Sequence, residues 1–276
     1  MDQNVKQDLK MEAKRIRRNI LTATYYAKSG HPGGSLSIAD IMAYLYLYKM
    51  RVDPENPIWE KRDRFVLSKG HTAPALYSAL AVRGFFPEED LKTLRKSDSY
   101  LQGHPSLGKV PGVDMSTGSL GQGISVAAGM ALGGKLNGEK YNVYTVLGDG
   151  ELEEGEVWEA AMFAAAKGLD HLIAVVDNNG LQIDGNIEDV NSPYPIDKKF
   201  LAFGWNVICI DGHDFDAIHD AFTIAEEYNG KPTVIIANTV KGKGVSFMED
   251  RAGWHGKAPN DEEYALAMSE LKEDAA

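Results

Sequence analysis

Five short, β-branched runs alternate with helical stretches along this chain, and that alternation leaves few architectures open to it. The runs fall at 64–67, 142–147, 172–176, 205–210 and 232–236. Apolar strands separated by helix-length connections predict an α/β fold, a doubly wound, mostly parallel sheet with helices on both faces. A chain of 276 residues, 43% hydrophobic and 25% charged, can bury one large core or two small ones. No repeat, low-complexity tract or linker interrupts it, so residues 1–276 read as a single domain with long functional loops. A helical pattern over 5–28 stops at Ser29-Gly30-His31-Pro32-Gly33-Gly34, a run of breakers in which regular structure is not expected. Residues 38–48 read as a buried helix, with Tyr44, Tyr46 and Tyr48 as core or subunit contacts. The irregular stretch 97–118 is long enough to suggest a functional loop. The acidic end, 270–276, reads as a fraying helix and a natural stop.

Charge and cysteine content exclude several classes. A net charge of -11 offers no basic excess to displace phosphate counterions, which argues against a nucleic-acid partner. The single cysteine, Cys209, can form neither an intrachain disulfide nor a Cys-based zinc site, and its neighbours read as a buried strand. No apolar signal core or membrane-length run is present, so a reduced cytoplasmic setting is expected.

The sharpest motif is Gly148-Asp149-Gly150-Glu151, where a strand runs into glycines that let backbone approach a ligand and places a carboxylate at the carboxyl end of a parallel strand. The next strand ends in Asp177-Asn178-Asn179-Gly180-Leu181-Gln182-Ile183-Asp184-Gly185. Neighbouring strand ends can share one hard cation, and Asp149, Asn179 and the carbonyl of Leu181 form a suitable oxygen set. Singly, each segment is ordinary turn chemistry. Together they match the thiamine-diphosphate signature of Gly-Asp-Gly with a closing Asn. Four of the seven histidines, His31, His71, His104 and His255, stand in glycine- or proline-flanked loops. A structural zinc site has no support from their spacing. His171, His213 and His219 read as structural. The run 116–123 is a glycine-rich helix entry lacking the Lys-Ser/Thr ending of a nucleotide loop.

The segment from Gly148 to Gly185 resembles the cofactor-binding segment of transketolases, and the likeness extends almost from Ser29 to Pro259. The contexts Ser-Gly-His31-Pro-Gly, Ser-Lys-Gly-His71, Gln-Gly-His104-Pro and Trp-His255-Gly-Lys-Ala-Pro make it transketolase-like and not merely thiamine-like. The resemblance implies the thiamine-diphosphate-binding fold, thiamine diphosphate as cofactor, and Mg2+ or another divalent cation such as Ca2+ or Mn2+. It implies Asp149, Asn179 and Leu181 as metal ligands. His71 and His255 would reach the diphosphate, with Gly118, Ser119, Leu120, Gly150, Asn179 and Ile183 as further cofactor contacts. It gives His31, His104 and His255 catalytic work on the sugar's hydroxyls and carbonyl, for which imidazole suits because it donates, accepts and titrates near neutrality. Glu154 and Glu159, by default a solvated helix face, resemble an acidic network between paired subunits.

In transketolases the glutamate that holds the cofactor's aminopyrimidine lies in a second domain, followed by a third, and nothing in this chain matches it. Either the chain is a fragment of a longer enzyme or the enzyme is split, and the expectation is the split: a complementary subunit carrying the pyrimidine-binding and C-terminal domains, a heterotetramer of two plus two chains, and ketol transfer between sugar phosphates, in pentose metabolism or a specialised pathway. Rivals are a component of another thiamine-dependent synthase or decarboxylase, and a silent cofactor-binding subunit. A dinucleotide-binding domain lacks Gly-x-Gly-x-x-Gly at the first strand turn.

Overall fold

The computed structural model describes residues 1–272; the end of the acidic tail, 273–276, lies outside the described residues. In chain order the elements are α1 (Gln3–Ala27), α2 (Pro32–Leu36), α3 (Ala39–Tyr44), β1 (Arg64–Leu67), α4 (Ala73–Arg83), α5 (Gln122–Asn137), β2 (Val143–Gly148), α6 (Gly155–Ala166), β3 (Leu172–Asn178), β4 (Leu181–Gln182), β5 (Gly185–Asn186), α7 (Ile187–Asn191), α8 (Ile196–Ala202), β6 (Asn206–Asp211), α9 (Phe215–Glu227), β7 (Thr233–Asn238) and α10 (Asp261–Glu270). All five expected strands are present, in the order β1-β2-β3-β7-β6 with every pairing parallel.

Because side chains alternate across a strand, the sheet separates two cores. Phe65, Leu67, Tyr144, Val146, Ile173 and Val175 pack on one face, under α1, α3, α4 and α9. Val66, Val143, Leu147, Leu172, Ala174 and Val176 pack on the other, under α5, α6 and α8. The expected two-sided winding is what the chain adopts.

The register fixes where chemistry can occur. Gly148 pairs with Asp177, and Asp177 with Ala237, so the carboxyl ends of the three central strands stop at one level. Loops leaving those ends must share one crevice.

Three local expectations change. The breaker run contains a short helix, α2, because Pro32 at its first position is already set for helical φ and gives up an N–H that would be unpaired there. The helix over 38–48 is α-helical only to Tyr44 and continues as a π-helical turn over Leu45–Lys49; Tyr44 and Tyr46 are buried, but Tyr48 is 45% exposed. Cys209 is exposed, not buried, because β6 is the edge strand.

Candidate active site

A cavity of about 570 Å³ opens at the carboxyl ends of β1, β2, β3 and β7, lined among others by His31, His71, Asp149, Asn179, Leu181 and His255. They come from five connections, Asn179 and Leu181 sharing the one after β3. His31 caps α2, and His71 stands in a single 3-10 turn (Gly70–Thr72) before α4. That turn lies against the entry to α5: a Cβ on Gly70 would stand 2.7 Å from the backbone nitrogen of Gly118, so only glycine permits the approach. Gly118, at φ 155, would in turn press any Cβ to 3.1 Å from the His104 ring.

The imidazoles of His31, His71 and His255 form a triangle, with ring centroids 5.1 Å apart for His31 and His71, 5.5 Å for His31 and His255, and 5.1 Å for His71 and His255. Burial, then the charges of Arg95, His104 and Lys241, lower His31 to about 4. Burial, then Lys241, His31 and Lys69, lower His255 to about 3; burial, with Lys69 and the other two rings, lowers His71 as well. At neutral pH the protein therefore presents three uncharged imidazoles, each with one donor and one acceptor. Nδ1 of His31 is buried without a hydrogen-bond partner.

The candidate cation ligands line the same cavity. Asp149 is 2% exposed, and its oxygens accept backbone N–H bonds from Gly150 (2.9 Å) and Gly180 (2.6 Å). Burial, then the neighbouring charge of Asp177, raises it to about 6 against the pull of those N–H groups. The amide oxygen of Asn179 accepts from Leu181 N (3.1 Å), and the Leu181 carbonyl accepts from Lys241 Nζ (2.8 Å). Lys241 Nζ also lies 3.1 Å from His255 Nδ1; an ammonium only donates, so that imidazole carries its proton on Nε2. Burial lowers Lys241 to about 8, partly offset by Asp149. A protein cation thus already rests on one of the three expected ligand oxygens, beside the carboxylate. Among the described residues no group of three His, Cys, Asp or Glu side chains is arranged to hold a metal. The expected donor set of Asp149, Asn179 and Leu181 is instead one carboxylate with an amide and a main-chain carbonyl, oxygens of the kind a hard cation takes.

Of the remaining expected contacts, Gly118, Leu120, Gly150 and Ile183 line the cavity, Ile183 as a 66% exposed side chain at its mouth. Ser119 is exposed and His104 is exposed at the rim; neither lines the cavity itself. Glu154 caps α6 and Glu159 lies within it, both exposed, and Glu154 lines the cavity. His171 bonds Asn142, His213 bonds Asp40, and His219 bonds Tyr44, away from the cavity.

Lys69, Asp177, Lys241, Glu151 and Arg95 have no role in the sequence motifs. Lys69 and Asp177, 2% and 0% exposed, form a buried ion pair of 2.5 Å in the cavity wall. Glu151 accepts from Ser68 Oγ (2.5 Å), Gly121 N (2.9 Å) and Gly148 N (3.0 Å), joining three loops of the crevice. Arg95, bonded to Ser29 Oγ at 3.0 Å, brings the positive charge felt by His31 and His104. Lysines in glycine-flanked loops at strand ends were the available signal for Lys69 and Lys241.

Residues 9–275 match the family model described as transketolase, thiamine diphosphate binding domain. The chain is 47% identical over 269 residues to the 6-deoxy-6-sulfo-D-fructose transketolase subunit SqwG of Clostridium sp. (strain MSTE9), covering 98% of each chain. It is 42% identical to an apulose-4-phosphate transketolase subunit of Phocaeicola vulgatus, covering 96% of this chain and 94% of that one. Its fold is similar to the crystal structure of transketolase from Campylobacter jejuni, with a TM-score of 0.91 and 34% identity over 96% of this chain but only 43% of the other. The chain therefore spans nearly the whole of the relatives named as subunits and about two fifths of that transketolase.

Proposed function

The chain belongs to the transketolase family of thiamine diphosphate-binding domains, and from that premise we propose that residues 1–276 form one diphosphate-binding unit that works with a complementary chain in transferring a two-carbon ketol unit between anionic sugars. One observation carries this reading: Asp149, Asn179 and Leu181 line one cavity together with the triangle of uncharged imidazoles.

The residues fit the cofactor and its cation. Lys241, on the Leu181 carbonyl, stands in for positive charge among the ligand oxygens, and His31, which lines the cavity, keeps a buried Nδ1 without a hydrogen-bond partner. Asp149, Asn179 and the Leu181 carbonyl would hold Mg2+ or a similar divalent cation. His71, His255, Gly150 and Lys241 would hold the diphosphate, with Gly118, Leu120 and Ile183 along its rings and Ser119 beside them. Bound thiamine diphosphate supplies the nucleophilic carbon and electron sink that cleaving a bond next to a carbonyl requires.

The protein's own part is positioning and proton handling. His255, donor-faced at Nε2 because Lys241 occupies Nδ1, offers a hydrogen bond to a sugar oxygen. His31, whose ring lines the cavity, can accept a hydroxyl proton or return it, and His104 at the rim can bind a more distal hydroxyl. Neutral imidazoles near the cavity keep both directions of proton movement open.

The partner is inferred from the relatives named as subunits and from bare apolar surface: Met162 and Phe163 of α6 are 57% and 40% exposed, near Glu154 and Glu159. Two such chains and two partners, in a heterotetramer, would cover it. A reducing cytoplasmic setting suits the free thiol of Cys209.

The test is to purify the chain alone and with a complementary subunit, and to assay ketol transfer with thiamine diphosphate and Mg2+. Activity is expected only from the mixture. Full activity of the isolated chain would overturn the split arrangement, and a mixture that binds no cofactor would overturn the whole assignment.

A further inference from the structure

Resting on the thiamine diphosphate reading above, we propose that Asp177 is the positioning residue of the cation site: it grips the Asn179 side chain by its amide nitrogen, so that the amide oxygen is the face offered to the cation.

Asp177 is fully buried, and its carboxylate is saturated. Oδ2 accepts from Lys69 Nζ (2.5 Å), Ser37 Oγ (2.7 Å) and Asn179 Nδ2 (2.9 Å); Oδ1 accepts from Thr239 Oγ1. A carboxylate held ionised by a buried ammonium has no proton to give, so only the NH2 end of the Asn179 amide can face it. The choice of rotamer is thereby made before any ligand arrives. The oxygen end is turned toward Leu181 N, uses one lone pair there, and keeps the other for the cavity.

The four donors come from four places: the turn after α2, the loop after β1, the loop after β3 and the loop after β7. Asp177 thus ties the crevice loops to one point and sets the one ligand whose two ends could be exchanged. A carboxylate presents oxygen whichever way its end turns; a side-chain amide does not. Outer partners of this kind commonly change metal affinity by about 10- to 100-fold.

A donor–acceptor exchange separates positioning from plain structural support. Mn2+ binding to the full chain with its complementary subunit and thiamine diphosphate is followed by calorimetry or by the free-Mn2+ resonance signal. Asp177→Asn can donate to Asn179 and turn its amide over, and Asn179→Asp places a second acceptor against Asp177; each should weaken Mn2+ binding about 10- to 100-fold. With both substitutions together, the amide introduced at position 177 can donate to the carboxylate introduced at position 179 and leave an oxygen facing the cavity, so the double variant should regain about tenfold over either single one. All variants are also made with Lys69→Met, so that an unpaired buried ammonium does not decide whether they fold. Wild-type affinity in Asp177→Asn, or losses that multiply in the double variant, would overturn the proposal. If wild-type protein binds no Mn2+ with the cofactor, the reading on which it rests falls as well.

Discussion

β2 and β3 run side by side in register, and each hands over an aspartate at its carboxyl end, yet the two carboxylates have opposite surroundings. Asp149 receives one backbone N–H on each oxygen and no bonded cation, and burial with the nearby charge of Asp177 raises it to about 6. Burial would raise Asp177 too, but the charge of Lys69, with bonds from Lys69, Thr239 and Ser37, brings it below the usual carboxylate range. One strand end is completed inside the protein. The other keeps an unbalanced charge, which is costly in the free protein and useful once a cation arrives.

The largest expected effect tests the completed end. Asp177→Asn leaves Lys69 buried without its anion, and breaking a buried pair from one side costs about 3–5 kcal/mol. Urea unfolding should show that loss, and adding Lys69→Met should recover much of it. A variant as stable as wild type would erase the distinction between the two ends.

Asp149→Asn should do the reverse in the free protein. A carboxylate whose folded value lies near 6, above the ordinary 3.8, penalises the folded state above pH 6; the penalty shrinks as pH falls from 6 toward 3.8. The shift corresponds to about 3 kcal/mol. Thermal unfolding without ligands should therefore find the Asp149→Asn variant more stable than wild type at pH 8, with the gap closing near pH 4, while cation-dependent binding of thiamine diphosphate is lost. Equal stability at pH 8 would mean that Asp149 bears no unbalanced charge.

A carboxylate away from the cavity sharpens the contrast. Asp40 is bonded by Arg17 at 3.0 and 2.5 Å and by His213 at 2.7 Å, and against its burial they lower it to about 2. A lowered value contributes stability that is present above 3.8 and lost as pH falls through about 2, worth about 2 kcal/mol. The stability difference between wild type and Asp40→Asn should shrink over that window; a constant difference would refute the assignment.

The smallest effect belongs to Lys241. Lys241→Met removes a positive neighbour from the diphosphate region and should weaken thiamine diphosphate binding about tenfold, a loss of about 1.4 kcal/mol by calorimetry. Unchanged affinity would place the ammonium outside the cofactor's reach.

Much of this site is legible in the sequence because its pieces are local. Gly-Asp-Gly, Asn-Asn-Gly and the flanked histidines are each written in a few consecutive residues, and strand alternation places them at one edge of the sheet. What is not legible depends on distant partners. Lys69 and Asp177 are 108 positions apart, and no periodicity marks a lysine that will be buried against an aspartate. The exposure of Cys209 could not be read either, since its run is as apolar as that of β7 and only strand order makes β6 an edge. The helix at Pro32 was hidden by the glycines after it, which signal a break by propensity but are buried and packed here.

The ammonium of Lys241 on the Leu181 carbonyl also has a bearing on the order of events. On the proposed assignment of the Leu181 carbonyl to the cation, a divalent ion arriving alone would have to displace a charge of its own sign. With the diphosphate present, Lys241 would hold it and leave the carbonyl open. Metal and cofactor should therefore each tighten the other's hold by the same factor, as linkage demands, and a cell poor in either would keep the protein empty of both.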